Sequence, residues 1–160
     1  MQKRTGKLQQ VIVNAIASKV KGHSIFKQDR KKNETFFNHR LYRDVKSING
    51  SVTNKQIWVA KLVGETFRPE FYIANGRHFP LLCAECKKLT DATAKTRLKE
   101  GLSQALVYSN EYKCVLLIFY DYTSGSKYAS HFGSPGSSEE RLAAKLWLNH
   151  SILVIFLVPL

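Results

Sequence analysis

Residues 68–89 read RPEFYIANGRHFPLLCAECKKL. Asn75-Gly76 is the strongest short-range hairpin signal, because both residues accept the positive φ of a type I′ turn, and apolar residues flank it on both sides. Alternation along the second arm puts Leu81, Cys83, Glu85 and Lys87 on one face, and Leu82, Ala84 and Cys86 on the other. An acid and a lysine therefore project together from an apolar run. A second carboxylate, Glu70, precedes the first arm. Pairing symmetrically about Asn75-Gly76 sets Glu70 opposite Leu81, so only strand twist, a shifted register or a bulge brings the two acids together.

The surrounding pattern alternates helical and extended segments. Leu8, Val11, Ile12, Ala15, Ile16 and Val20 recur at helical spacing, which predicts an amphipathic helix over 7–21 ended by Gly22. This helix packs either on the core or on a partner subunit. KQDRKK (27–32) is a charge run, either a solvated loop or a contact for phosphate. Asn33 suits the N-cap of a second helix with Phe37, Leu41 and Val45 on one face. SINGSVTN (47–54) is turn chemistry, and QIWVAKLV (56–63) precedes the hairpin as a strand. A third helix is predicted over about 94–110, with Leu98, Leu102, Ala105 and Leu106 as its apolar stripe. KCVLLIFYDY (113–122) is nearly continuous in apolar character, as a strand buried on both faces must be. A Gly/Ser-rich loop over 123–136 leads to a last helix with Ser137 and Glu140 spaced as a capping box, then to the strand ILVIFLV. The order is helix, helix, three strands, helix, strand, helix, strand, which predicts an α/β fold: a mixed sheet flanked by helices, with an extra helix at the N-terminus.

Charge narrows the function. Lys and Arg number 25 against 12 Asp and Glu, a net +13, and such a field attracts polyanions, nucleic acid foremost. Cys83 and Cys86 have CxxC spacing, but no histidine pair completes a zinc site, and residues three apart on a strand face opposite ways. Together with Cys114 they read as reduced structural thiols. The N-terminal MQKRTGKLQQVIV lacks the continuous apolar stretch of a signal peptide. The terminal ILVIFLVPL, nine residues long, is too short for a membrane helix. The expectation is a cytoplasmic protein without membrane association.

Arg68-Pro69-Glu70, a hairpin, and then Glu85-Cys86-Lys87 resemble the PD-(D/E)xK motif of the restriction-endonuclease-like nuclease superfamily, with Glu where Asp is commoner. Gln104 and Tyr108 match the QxxxY signature of its RecB-like branch, on the helix after the hairpin. Glu34 matches an acidic residue that many members place on the preceding helix, although the helix dipole alone also accounts for an acid there. The element order agrees with the family core. The resemblance implies one domain over 1–160, with an N-terminal helical extension (1–26), a motif-bearing core (33–122) and a C-terminal helix and strand (137–160).

It also implies a DNA-hydrolysing enzyme whose products carry 5′-phosphate and 3′-hydroxyl ends. Glu70, Glu85 and the backbone carbonyl of Cys86, with Glu34 as a further candidate, would hold Mg²⁺ or Mn²⁺. Hard oxygen ligands and retained waters suit Mg²⁺. Lys87 would orient or deprotonate the attacking water, and Gln104 and Tyr108, one turn apart, would border the site. Lys88, Lys95, Arg97 and Lys99 would contact backbone phosphates; solvated helix charge is the alternative. Cutting two strands would suit a homodimer. Two rival expectations stand beside this one: a basic nucleic-acid-binding protein that has lost the chemistry, and a nuclease subunit active only within a larger assembly.

Overall fold

The strand that organises the molecule is β5 (Cys114–Asp121), in which every residue is buried. It can be apolar up to its last residue, Asp121, because neighbours flank it on both edges and helices cover both faces. The computed structural model describes residues 7–55, 60–74 and 80–160. In chain order its elements are α1 (Lys7–Lys21), a 3₁₀ turn (Lys27–Lys31), α2 (Glu34–Ile48), β1 (Ala60–Leu62), β2 (Glu65–Phe67), β3 (Phe71–Ala74), β4 (Pro80–Leu89), α3 (Ala94–Glu111), β5, a second 3₁₀ turn (Ser124–Ser126), α4 (Lys127–Gly133), α5 (Ser138–His150) and β6 (Ile152–Leu157). The main sheet runs β3-β4-β5-β6. Only β3 is antiparallel to its neighbour.

The two faces of this sheet are separate cores. Val13, Ile16 and Val20 of α1 and Phe37, Leu41 and Val45 of α2 pack on Leu82, Ala84, Cys86, Leu116 and Ile118. The N-terminal helix therefore packs on its own core. On the other face, Ala105 and Tyr108 of α3, the Tyr112 that caps its C-terminus, and Leu146 of α5 cover Cys83, Val115, Leu117 and Phe119. Each fully buried Leu, Ile or Phe here is worth roughly 1.5–3 kcal/mol. Cys83 and Cys86 fall in different cores, and all three cysteines are free.

The helix starts follow their caps. Asn33 Oδ1 accepts the Phe36 N–H at 3.0 Å, and Ser137 Oγ accepts the Glu140 N–H at 3.0 Å. Three expectations change. The strand expected over 56–63 is described only from Ala60, and it pairs with β2 in a separate two-stranded ribbon instead of entering the main sheet. That ribbon turns at Val63-Gly64, both at positive φ, a turn no Asn or Asp announced. The loop expected over 123–136 contains α4. Its start is secured from the preceding strand, where Asp121 Oδ2 accepts the Ala129 N–H at 2.7 Å, and Phe132 packs on Phe156 with tilted rings, centroids 4.8 Å apart. Within the expected turn 47–54, Thr53 exchanges backbone hydrogen bonds with Tyr72, on β3.

The third change concerns register. Phe71 faces Ala84, where a symmetrical turn at Asn75-Gly76 would face it to Pro80, and the ladder shifts between Ile73 and Ala74. Asn75-Gly76 itself and His78 lie outside the described residues. Among the described residues no helix is long and apolar enough to cross a membrane.

Candidate active site

The shifted register decides the site. One residue before the Phe71–Ala84 pair, the Glu70 N–H donates to the Ala84 carbonyl at 2.9 Å, which brings Glu70 level with Glu85. Pro69, with its fixed φ and no N–H, is buried and sets the approach. The expected pairing of Glu70 with Leu81 is thus replaced.

Glu85 and Lys87 lie on the α3 face of β4, beside Leu117 and Phe119 of β5. They are 2% and 6% exposed, so they are a buried pair and not an exposed edge pair. Lys87 Nζ donates to Glu85 Oε1 at 2.5 Å. The other oxygen, Oε2, is buried with no hydrogen-bond partner among the described residues. Burial pushes the Glu85 carboxyl up to about 7; Lys87 opposes this and Glu70 adds to it. Burial likewise raises Glu70, opposed by a hydrogen bond from Asn38 and reinforced by Glu34, with Lys87 and Arg97 also within electrostatic reach. Both carboxylates are thus partly desolvated, and Glu70 adds to the upward shift of Glu85.

Lys87 is held by an unusual helix contact. A Cβ on Gly101 of α3 would lie 3.2 Å from Lys87 Cγ and 3.1 Å from Leu117 Cδ1. Glycine lets the helix press onto the lysine stem and fix its direction. Further along α3, Gln104 Oε1 and the Tyr108 hydroxyl are buried, again without a hydrogen-bond partner among the described residues. Tyr108 is fully buried. Its hydroxyl sits beside Glu85 without reaching good hydrogen-bond geometry, and burial, then the Glu85 charge, raises its pKa.

Glu34, first residue of α2, reaches across to β4. Its Oε2 accepts the Lys88 N–H at 2.7 Å and Arg97 Nη2 at 2.5 Å. It thereby pairs the edge of β4 beyond the start of β3 and ties α2 to α3. Ala84 and Lys88 both direct their backbone groups to this edge. By alternation the Cys86 carbonyl points there too, toward the side on which Glu70 sits.

The expected phosphate contacts divide. Lys88 turns toward α2, where Nζ donates to the carbonyls of Arg30 and Lys32 and lies 5.5 Å from the Phe37 ring centroid. Burial, then Arg30, lowers its pKa. Arg97 is engaged by Glu34 and by Glu100 at 2.8 Å. Lys95 and Lys99 are exposed on α3, so the four do not form one patch. His131 is exposed on α4, where its Nδ1 lies 3.9 Å from Glu139 Oε1. Two neighbours escaped sequence reading: Asn38, one turn after Glu34 on the same helical face, and Gly101, an isolated helix glycine of the kind that marks a close contact.

Among the described residues no group of three or more His, Cys, Asp or Glu is gathered closely enough to hold a metal ion. The donor set suited to a cation is smaller: Glu70, Glu85 with its unpartnered Oε2, and the Cys86 carbonyl. Few protein oxygens with room for waters is what Mg²⁺ requires. No protein family, curated protein or solved structure matches this chain.

Proposed function

We propose that the protein is a Mg²⁺-dependent nuclease that hydrolyses DNA phosphodiester bonds, with Glu70, Glu85, Cys86 and Lys87 as a PD-(D/E)xK site on a restriction-endonuclease-like core. The observation that carries this reading is the pairing that levels Glu70 with Glu85 while Lys87 Nζ rests on Glu85. Glu70, Glu85 Oε2 and the Cys86 carbonyl would hold the cation. When bound, it supplies Lewis-acid stabilisation of charge on the phosphate.

The chain's own groups do the rest. Lys87 Nζ, donor-only as an ammonium, holds the attacking water by hydrogen bond and offers positive charge to the phosphoryl oxygens. Gln104, one turn before Tyr108 on α3, would accept a hydrogen bond from water through its unpartnered Oε1. Tyr108 closes the floor behind Glu85 and excludes bulk solvent. Glu34, occupied by Lys88 and Arg97, positions α2 and α3 around the site.

The test is cleavage of supercoiled DNA with Mg²⁺. Wild type should nick or degrade it, and EDTA or Glu85→Gln should stop the reaction while the melting curve stays cooperative. One feature favours a second reading. Glu85 and Lys87 neutralise each other at 2.5 Å, as an inert buried pair would in a basic DNA-binding protein without chemistry. DNA binding with no cleavage in either Mg²⁺ or Mn²⁺ would select that reading.

A further inference from the structure

We propose that the cleft between the Lys27–Lys31 turn and the loop after β5 is a second phosphate subsite, gripping the DNA backbone on the flank of the acid cluster; this rests on the nuclease reading. The cleft has a volume of about 320 Å³, and its lining includes Lys27, Arg30, Tyr122, Thr123, Ser124 and Ser126. It opens at the C-terminal end of β5, the end of a parallel sheet at which ligands bind. Lys27 and Arg30 at a cleft of this kind match phosphodiester oxygens, while the Tyr122, Thr123 and Ser124 hydroxyls donate to Phe26, Asp121 and Asp91 and shape its wall.

Charge in the turn is segregated. Asp29, the lone acid of KQDRKK, pairs with Arg40 at 3.1 Å. Lys27, Arg30, Lys31 and Lys32 remain exposed. The backbone carrying them is braced. Tyr122 donates its hydroxyl to the Phe26 carbonyl at 2.7 Å, Leu160 accepts the Lys27 N–H at 3.2 Å, and Lys88 binds the carbonyls of Arg30 and Lys32. A solvated charge run needs no such anchoring, whereas a preorganised grip saves ordering entropy on binding.

A second acid, Asp91, borders the cleft. It accepts the Ser124 N–H and hydroxyl, both at 2.8 Å, and meets Arg30 Nη2 at 3.3 Å. Both members of that pair are more than half exposed, so phosphate can take the guanidinium at little cost. Lys88 connects this turn to β4 immediately after Lys87. A strand held in the cleft would therefore have its register fixed relative to the acids without any base being read.

The experiment measures binding of a duplex DNA in EDTA, where no cleavage occurs, across a salt series. Lys27→Gln/Arg30→Gln is compared with Lys7→Gln/Lys145→Gln, which removes equal charge elsewhere. The first pair should weaken binding by about tenfold at moderate salt and flatten the log K against log salt slope by about two. The second should leave the slope near wild type. A matched RNA duplex should show the same difference, since backbone phosphate is what is gripped; a loss confined to RNA overturns the proposal. Equal effects of the two pairs, no effect of either, or no DNA binding by wild type also overturn it. Glu85-dependent cleavage of plasmid DNA is scored separately, so the subsite can fail while the nuclease stands, or the reverse.

Discussion

The two faces of β4 treat consecutive lysines differently. Toward α2, Lys88 places its ammonium against two carbonyls and two aromatic rings, Phe37 and Tyr122, so its hydrogen-bonding demand is met by fixed structure. Toward α3, Lys87 has a carboxylate as its partner, and that carboxylate has an oxygen to spare. The Tyr108 hydroxyl beside Glu85 is likewise without a partner among the described residues. Buried polar atoms without partners are costly, roughly 1–3 kcal/mol each. Unpartnered buried atoms also occur on the α2 face, at Asn38 Oδ1 and the Tyr120 hydroxyl, so the buried acid–lysine pair is what distinguishes the α3 face.

The sharpest way to break this contrast is to remove each side chain. Glu85→Gln should lower DNA cleavage by about 10²–10³-fold or more, on the scale of losing one preorganised electrostatic contact. Lys88→Met should leave cleavage per folded molecule within about threefold, yet cost about 1–2 kcal/mol in urea denaturation through its lost hydrogen bonds. Activity lost with Lys88 and retained without Glu85 would reverse the assignment of the two faces.

Gly101→Ala should be intermediate. The added Cβ crowds Lys87 Cγ and Leu117 at contacts already tight, so α3 must shift, and cleavage should fall about tenfold as the geometry loosens. The gain in helix propensity, about 1 kcal/mol, offsets the strain in part. Unchanged activity would show that the helix contact does not position the lysine.

A smaller effect concerns pH in the metal-free protein. The Glu85 carboxyl is raised from 4.5 to about 7 by burial, with Glu70 contributing. Folding therefore favours its protonated form, and that stability is lost as pH rises from about 4.5 through about 7. In EDTA, wild type should melt at a lower temperature at pH 8 than at pH 6, and Glu85→Gln should flatten the difference. A wild-type melting temperature that rises over this range, unaltered by the substitution, would count against the buried carboxylate.

Much of the fold was readable before any coordinates. Helical spacing with Asn33 and Ser137 as caps defined α2 and α5, and the unbroken apolar run defined β5. The co-facing of Glu85 and Lys87 followed from strand alternation. Alternation also places Lys88 on the other face, so grouping it with Lys95 and Lys99 ran against information already present. What resisted reading was set by tertiary contacts. The hairpin register depends on an irregularity between Ile73 and Ala74, so the level of Glu70 could not be derived from the Asn75-Gly76 signal. The Val63-Gly64 turn carries a β-branched residue at positive φ, where propensity argues against it. The start of α4 is held by Asp121, on another element.

The most direct measurement is Mn²⁺ binding followed by electron paramagnetic resonance in wild type, Glu70→Gln and Glu85→Gln, at neutral pH without DNA. The expected result is a single bound Mn²⁺, displaced by Mg²⁺ and lost in both variants. Binding that survives both substitutions, or no binding by wild type, would contradict a cation shared by Glu70 and Glu85.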